Sequence, residues 1–273
     1  MKKIAFFIPN LCDAGAENAL KLVINRLVEK KPNYDIDLCL GSNRGNLIKD
    51  IDSRINILHF NRLKLRYCFF DVVIYFLRNK PEYFISILDY TNIIASCAHL
   101  LSLSKSKLIL WEHSVTSIHA KTTISKIYFI RYNIIKYFYN RADSIVVASK
   151  GICIDLVNNF NISKKLINII NSPVDVKAII ALSRKENKYY KNHERYIVSI
   201  GRLVKSKNFD LLINAFKIIS SETKYKLLIV GEGPEKENLK QKIKKLHLKQ
   251  NIKLIKYIKN PYPVLKDAEL YAM

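Results

Sequence analysis

The sequence predicts an α/β protein made of two doubly wound, Rossmann-like parallel-sheet domains. Short apolar runs alternate with longer amphipathic stretches along the whole chain, and runs of this kind are typical of parallel strands covered by helices on both faces. The alternation stops at a polar stretch, "KENKYYKNHER" (185–195), and then restarts. We therefore expect a first domain over residues 1–185 and a second, incomplete domain over 186–273.

Seven short apolar runs are the predicted strands of the first domain. Amphipathic stretches such as "AENALKLVINRLVEK" and "TTISKIYFIRYNIIKYFYNR" lie between them and predict helices. The strand runs, in chain order, are "KIAFFIP", "YDIDLCLG", "INILHF", "YFISIL", "KLILWEH", "SIVVAS" and "INIIN".

The second domain repeats the pattern with "YIVSIG", "KLLIVG" and "IKLIKY" as strands. Apolar residues at helical spacing, such as Phe209, Ile213 and Phe216, predict a helix over 208–221. A second helix is predicted over 234–246, and a short one begins at Pro261.

The charge balance indicates an anionic partner. The chain has 273 residues with 46 Lys and Arg against 23 Asp and Glu, a net charge of +23. Nucleic acid, a phosphorylated metabolite or acidic lipid would all fit such a charge. No helix-turn-helix, RRM or OB pattern is present, which argues against a specific nucleic acid. The alternative is that most lysines are ordinary solvated surface charges in a chain that is rich in Lys, Asn and Ile.

The cysteines and the N-terminus indicate a cytoplasmic protein without a metal site. None of the five cysteines lies in a C-x-x-C pair, so they read as buried thiols of a reducing compartment. The first apolar run breaks at Pro9, short of the roughly 7–15 residues of a signal-peptide core. No stretch approaches the roughly 20 apolar residues of a membrane-spanning helix.

Ligands of doubly wound sheets bind beyond the carboxyl ends of the strands. Four loops lie there: "NLCDAGAEN", "WEHS", "GRLVKSKN" and "VGEGPEKEN". Gly15 would let the backbone approach a ligand, and the helix that follows points free N–H groups at an anion. "GEG" lacks the third glycine of a dinucleotide fingerprint, so no nicotinamide cofactor is expected. The plain alternatives are a structural histidine at His113 and solvated charges in the lysine-rich loop.

The stretch "VSIGRLVKSKNFDLLINAFKII", with "KLLIVGEGPEKENLK" and the later "NP", resembles the C-terminal domain of family 4 glycosyltransferases, which have the GT-B fold. The N-terminal half agrees more loosely, through "AGAEN", "WEHS", "ADSIVVASKGICIDL" and "INSPVD". The resemblance implies transfer of a sugar from a UDP- or GDP-sugar to an acceptor hydroxyl, with retention and without a metal or other cofactor.

The resemblance also implies roles for particular residues. Arg202 and Lys207 would contact the donor diphosphate, and His113 would face the sugar as the catalytic histidine. The residues implied to lie near the donor sugar or nucleoside are Gly15, Glu232 and Gly233.

Relatives in this family indicate a glycan or lipid-linked acceptor, used in bacterial surface polysaccharide, lipopolysaccharide or capsule assembly. The basic, aromatic helix over 121–141 could then lie on an anionic membrane surface at the inner face of the plasma membrane. The alternative is an ordinary helix with one core face.

The sequence departs from the family pattern at Ala14–Gly15, where two glycines are more usual, and at Lys256, where a glycine is common. It also stops before the segment that would carry the family's two donor-site glutamates. We therefore expect either a C-terminally truncated glycosyltransferase or an inactive remnant or half of a split enzyme. A sugar-nucleotide epimerase and a nucleic-acid-binding protein are weaker alternatives.

Overall fold

The computed structural model describes residues 2–12, 14–117, 125–189 and 195–273. The chain divides into two compact units, Met1–Val174 and Asp175–Met273. The predicted boundary between residues 185 and 186, at the start of the polar stretch 185–195, falls inside the second unit. The helix that precedes this stretch belongs to that unit too, because Asn260 donates a hydrogen bond to the Leu182 carbonyl at 3.0 Å.

The described part of the first unit forms a seven-stranded sheet in which every neighbouring pair is parallel. Its strand order is β3-β2-β1-β4-β5-β6-β7. The strands are β1 (Lys2–Ile8), β2 (Tyr34–Leu40), β3 (Asn56–His59), β4 (Tyr83–Ile87), β5 (Lys107–Glu112), β6 (Ser144–Val147) and β7 (Ile167–Ile169). The helices are α1 (Gly15–Lys30), α2 (Cys68–Asn79), α3 (Asp89–Leu101), α4 (Ser125–Tyr139) and α5 (Lys150–Phe160).

Side chains alternate between two cores on opposite faces of this sheet. Along β1, Phe7 packs into the core that includes α2, α3 and α5, while Phe6 and Ile8 pack into the core that includes α1. Because both faces are buried, the strands read as near-continuous apolar runs, which is why the sequence revealed them. The strand order reverses beside β1, so the loops after β1 and β4 open where such sheets bind ligands.

The described part of the second unit forms a four-stranded parallel sheet of order β10-β9-β8-β11. Again the strands are covered on both faces: Ile197 packs on one side of β8, and Tyr196 and Val198 on the other. The elements are α6 (Val176–Ser183), β8 (Tyr196–Ile200), α7 (Phe209–Ile219), β9 (Lys226–Val230), α8 (Lys236–Lys245), β10 (Ile252–Ile255), α9 (Tyr262–Lys266) and β11 (Leu270–Tyr271). Two covered parallel sheets confirm the predicted fold class.

Helix α4 lies within residues 121–141, the stretch that the sequence offers as a membrane-binding helix. The start of that stretch, up to residue 124, lies outside the described residues. In the described part, Ile135 and Tyr139 are fully buried in the core, and Tyr132 stacks on Phe160 with ring centroids 5.8 Å apart. These side chains are therefore not available to a membrane. No helix in the described ranges is long and apolar enough to cross a bilayer.

Candidate functional site

The second unit carries its candidate cations at the end of β8. Arg202 follows Gly201 directly, and a short 3-10 turn, Lys205–Lys207, leads through Asn208 into α7. The Lys207 side chain folds back over the strand end. Its Cε atom lies 3.9 Å from the position that a Cβ atom on Gly201 would occupy. Arg202 and Lys207 are exposed, and no carboxylate of the described ranges forms an ion pair with either.

The backbone beneath these cations is held by the neighbouring loop. Leu203 N donates a hydrogen bond to the Glu232 carbonyl at 2.9 Å, and Glu235 N donates to the Leu203 carbonyl at 3.0 Å. The two loops after β8 and β9 therefore form one surface. This contact brings Arg202, Glu232 and Gly233 together, with the Glu232 side chain exposed.

Two glycines permit this close contact between loops. A Cβ atom on Gly231, at φ +157°, would overlap the Gly201 carbonyl oxygen, and one on Gly233 would overlap the Leu203 carbonyl. Gly233 was predicted from its place near a nucleoside, but the packing of Leu203 alone accounts for a glycine there. Its role toward a ligand stays a prediction.

Gly15 stands in a different environment at the carboxyl edge of the first sheet. A Cβ atom on Gly15 would meet no atom within 4 Å, so the fold itself does not require a glycine here. Helix α1 begins at Gly15 without a side-chain cap on its free N–H groups. The preceding loop is braced by hydrogen bonds from Leu11 N to the Arg44 carbonyl (3.0 Å) and from Leu47 N to the Leu11 carbonyl (3.4 Å). Asp13 lies outside the described residues.

His113 follows β5 at the same edge. Its ring lies beside that of Trp111, with centroids 4.7 Å apart, and Trp111 belongs to the core under α1. His113 is half-buried, and this burial lowers its pKa to about 4, so the imidazole is neutral at pH 7. Its Nε2 atom is buried and has no hydrogen-bond partner among the described residues. A neutral imidazole can both donate and accept a hydrogen bond.

A buried polar network lies on the other face of β5, and sequence reasoning missed it. Glu112 is fully buried and accepts hydrogen bonds from Asn92 Nδ2 of α3 (3.0 Å) and from the Tyr139 hydroxyl of α4. Asn92 Nδ2 also lies 3.3 Å from the Tyr139 hydroxyl. Burial, aided by the negative charge of Asp89, raises the pKa of Glu112 to about 8. The network joins β5, α3 and α4 at the strand residue that precedes His113.

Leu88 is a second feature that the sequence did not reveal. It joins β4 to α3 with φ +80° and ψ 148°, a region of backbone space that residues other than glycine rarely occupy. Its N–H donates to the Trp111 carbonyl at 3.0 Å, and its own carbonyl accepts from Thr91 Oγ1 at 2.8 Å. These contacts hold the strained residue between the ends of β4 and β5.

Glu17, in the first turn of α1, is another buried polar residue at the carboxyl edge of the first sheet. It is buried, and its Oε2 atom has no hydrogen-bond partner among the described residues; the indole Nε1 of Trp111 is in the same state. In the stretch "AGAEN" the sequence predicts a role for Gly15 but none for Glu17. The sequence does hold a signal for Glu17: it is a carboxylate in the first turn of an amphipathic helix, on the face that carries the apolar residues.

Comparison with known proteins identifies the family. The family model described as "Glycosyl transferases group 1" matches residues 181–273. A Campylobacter jejuni protein is 29% identical over 290 residues, covering 100% of this chain and 74% of that protein. The chain belongs to the family 4 glycosyltransferases. The relative from C. jejuni is named N-acetylgalactosamine-N,N'-diacetylbacillosaminyl-diphospho-undecaprenol 4-alpha-N-acetylgalactosaminyltransferase.

Two further comparisons agree with this family. The amylovoran biosynthesis glycosyltransferase AmsD of Erwinia amylovora is 23% identical and is matched over 100% of this chain and 74% of its own length. The crystal structure of Anabaena HepE in complex with UDP-glucose has a TM-score of 0.73 at 15% identity, covering 99% of this chain and 73% of that one. The likeness to HepE concerns the fold and confirms GT-B for this family member.

Proposed function

We propose that this glycosyltransferase moves a sugar from a UDP- or GDP-sugar to an acceptor hydroxyl with retention of the anomeric configuration. The observation that carries the proposal is the pair Arg202 and Lys207 on the braced loop after β8, two exposed cations that form no ion pair with any carboxylate of the described residues. Departure of the sugar leaves negative charge on the nucleoside diphosphate. In a metal-independent reaction, fixed cations of the protein must stabilise that charge.

The two cations suit different parts of this task. Arg202 offers a planar fork of donors for two phosphate oxygens, while Lys207 brings a point charge on a flexible stem. In this proposal Glu232 and Gly233 lie near the nucleoside, on the loop that supports Arg202. In the first unit, neutral His113 binds a sugar hydroxyl, and Gly15 lets the loop after β1 approach the sugar or phosphate.

The proposed acceptor is a glycan carried on a lipid, used in bacterial surface polysaccharide assembly at the cytoplasmic face of the membrane. Support comes from the relatives: the name of the C. jejuni protein contains a diphospho-undecaprenol acceptor, and AmsD is named for amylovoran biosynthesis. The net charge of +23 suits an acceptor with a diphosphate group.

Calorimetric titration with UDP and GDP tests the donor site. We expect Arg202→Ala and Lys207→Ala each to weaken binding of the preferred nucleotide about tenfold or more, because each removes a charge-assisted contact. Lys205→Ala, in the same loop, is the matched control and should change the affinity less than about twofold. Equal losses in all three variants would contradict a specific clamp and indicate general attraction by a basic loop.

The same assay separates the proposal from its alternatives. Absence of binding to UDP and GDP at millimolar concentration would favour an inactive remnant or one half of a split enzyme. Conversion of a UDP-sugar to its epimer without any acceptor would favour an epimerase instead.

A further inference from the structure

Strand β10 leaves one side of the second sheet unpaired. Leu227 N donates a hydrogen bond to the Asn251 carbonyl at 2.8 Å. Gly231 N donates to the Ile255 carbonyl at 2.9 Å, so β9 occupies the inner side of β10. Backbone groups alternate in direction along a strand, and those of Leu254 therefore point away from β9. No strand of the described residues pairs with this outer side. Leu254 thus offers a backbone donor and a backbone acceptor to an additional strand.

An open cavity of about 360 Å³ lies beside this unpaired side, on the face of the sheet that α8 covers. Its apolar lining consists of Ile243 from α8 with Ile252 and Leu254 from β10. Ile243 and Ile252 are buried in the core under α8, and Leu254 packs against the same core. A segment that lies along β10 could therefore place one apolar side chain in the cavity.

The rim of the cavity is basic. Lys240, Lys244 and Lys249 line it, and all three are exposed. Residues 236–259 contain nine lysines and a single acidic residue, Glu237. Glu237 pairs with Lys240 at 2.7 Å, whereas Lys244 and Lys249 form no ion pair with a carboxylate of the described residues. Two lysines of the rim are therefore available to an acidic ligand.

We propose that the outer side of β10 binds an extended acidic segment of a partner protein that carries one apolar residue at its centre. The segment would add to the sheet as a further strand, with backbone hydrogen bonds to Leu254. Its apolar side chain would enter the cavity, and acidic residues two positions away would lie on the same face, near Lys244 and Lys249. The acidic residues between them would face the exposed Lys253, which points to the opposite face from Leu254.

Other occupants fit this surface less well. A second copy of the chain would bring the same lysines against each other. A nucleic acid would neutralise the lysines but would leave the Leu254 backbone and the apolar cavity without partners. Strand β9 separates β10 from β8, the strand that leads to Arg202, so the surface is distinct from the proposed donor site and does not depend on the proposed function.

Fluorescence anisotropy with a labelled peptide, three glutamates on each side of a central leucine, tests the proposal on the full chain. The peptide should bind, and replacing its leucine with serine should weaken binding about tenfold or more through lost apolar contact. N-methylation of alternate backbone nitrogens keeps the charge but removes the donors toward β10, and it should weaken binding by a similar factor. Equal affinity of the methylated peptide, or no binding of the parent peptide at millimolar concentration, would overturn the proposal.

Charge reversal tests the rim. Lys244→Glu with Lys249→Glu should weaken peptide binding about tenfold or more. The matched control is Lys164→Glu with Lys165→Glu, two exposed lysines of the first unit, and it should change the affinity less than about twofold. Equal losses in the two variants would overturn the proposal, since binding would then follow net charge alone. A DNA oligonucleotide that binds more tightly than the peptide, and loses affinity only in the rim variant, would overturn it in favour of a nucleic-acid surface.

Amide hydrogen exchange followed by NMR locates the bound peptide. The Leu254 amide should exchange about tenfold or more slowly in the complex, because an added strand would accept its N–H. The Ile255 amide, on the side that pairs with β9, should change little. Unchanged exchange of Leu254 in a saturated complex would overturn the proposal. So would a dimer of the protein alone, in sedimentation velocity, in which the Leu254 amide is already protected.

Discussion

The Glu112 carboxyl is enclosed by Asn92 and Tyr139, and its burial raises its pKa to about 8. An unfolded glutamate titrates near about 4.3. Between these values the folded protein holds a proton that the unfolded chain has lost. The free energy of unfolding therefore falls as pH rises from about 4.3 to about 8. Asp89 adds to the shift, while the hydrogen bonds and Arg131 oppose it.

We expect Glu112→Gln to remove this dependence. The variant keeps an oxygen acceptor for Asn92 and Tyr139 but cannot acquire a buried charge. At pH 9 it should be more stable than the wild type by about 2 kcal/mol or more, and the difference should vanish near pH 4. Chemical denaturation across this pH range measures the effect, with the exposed Glu222→Gln as control. A constant difference at all pH values would contradict a titrating Glu112.

The glycines of the two candidate edges should respond to substitution in opposite ways. Gly233→Ala should lower the free energy of unfolding by about 1–3 kcal/mol, because its Cβ would overlap Leu203. Gly15→Ala should leave stability unchanged, since open space surrounds that position, and should weaken donor binding or turnover. Denaturation curves and nucleotide titrations of the two variants provide the comparison. A stable Gly233→Ala would show that the two loops can separate without cost.

At the scale of elements, apolar runs predicted the strands, and the residues around each helix end determined where the helix begins and ends. The predicted helix over 208–221 is observed as Phe209–Ile219, and it begins after Asn208, which adopts a left-handed conformation. The helix predicted over 234–246 is Lys236–Lys245, because the residues after Pro234 first form a turn. Such differences of one or two residues arise where helix ends compete with turns.

The residues of the candidate site also differ in whether the local sequence or long-range contacts determine their environment. Arg202, Lys207 and His113 stand in loops at the ends of predicted strands, and the resemblance to the family singled them out there; their roles stay predictions. Glu112 and Leu88 depend on contacts with residues far along the chain, from α3 to α4 and from β4 to β5. No local pattern marks a strand-end glutamate as buried or a leucine as left-handed.

At the scale of the whole chain, each hydrophobic cluster of the described residues belongs to one of the two units. The two clusters of the first unit contain residues up to Leu166 and Ile167, while those of the second begin at Tyr196. Separate cores indicate separate cooperative units of unfolding. Calorimetry should therefore show two thermal transitions, and Gly233→Ala should lower the temperature of only one of them.

Nucleotide binding then reports which unit holds the donor. With Arg202 and Lys207 on the second unit, UDP or GDP at about 100 times its Kd should stabilise that unit by about 2.7 kcal/mol. For a unit of this size the shift in Tm is roughly 10 °C or more. The transition that moves should be the one lowered by Gly233→Ala, and Arg202→Ala should abolish the shift while Lys205→Ala retains it. A shift confined to the other transition would place the nucleotide on the first unit and refute the donor assignment.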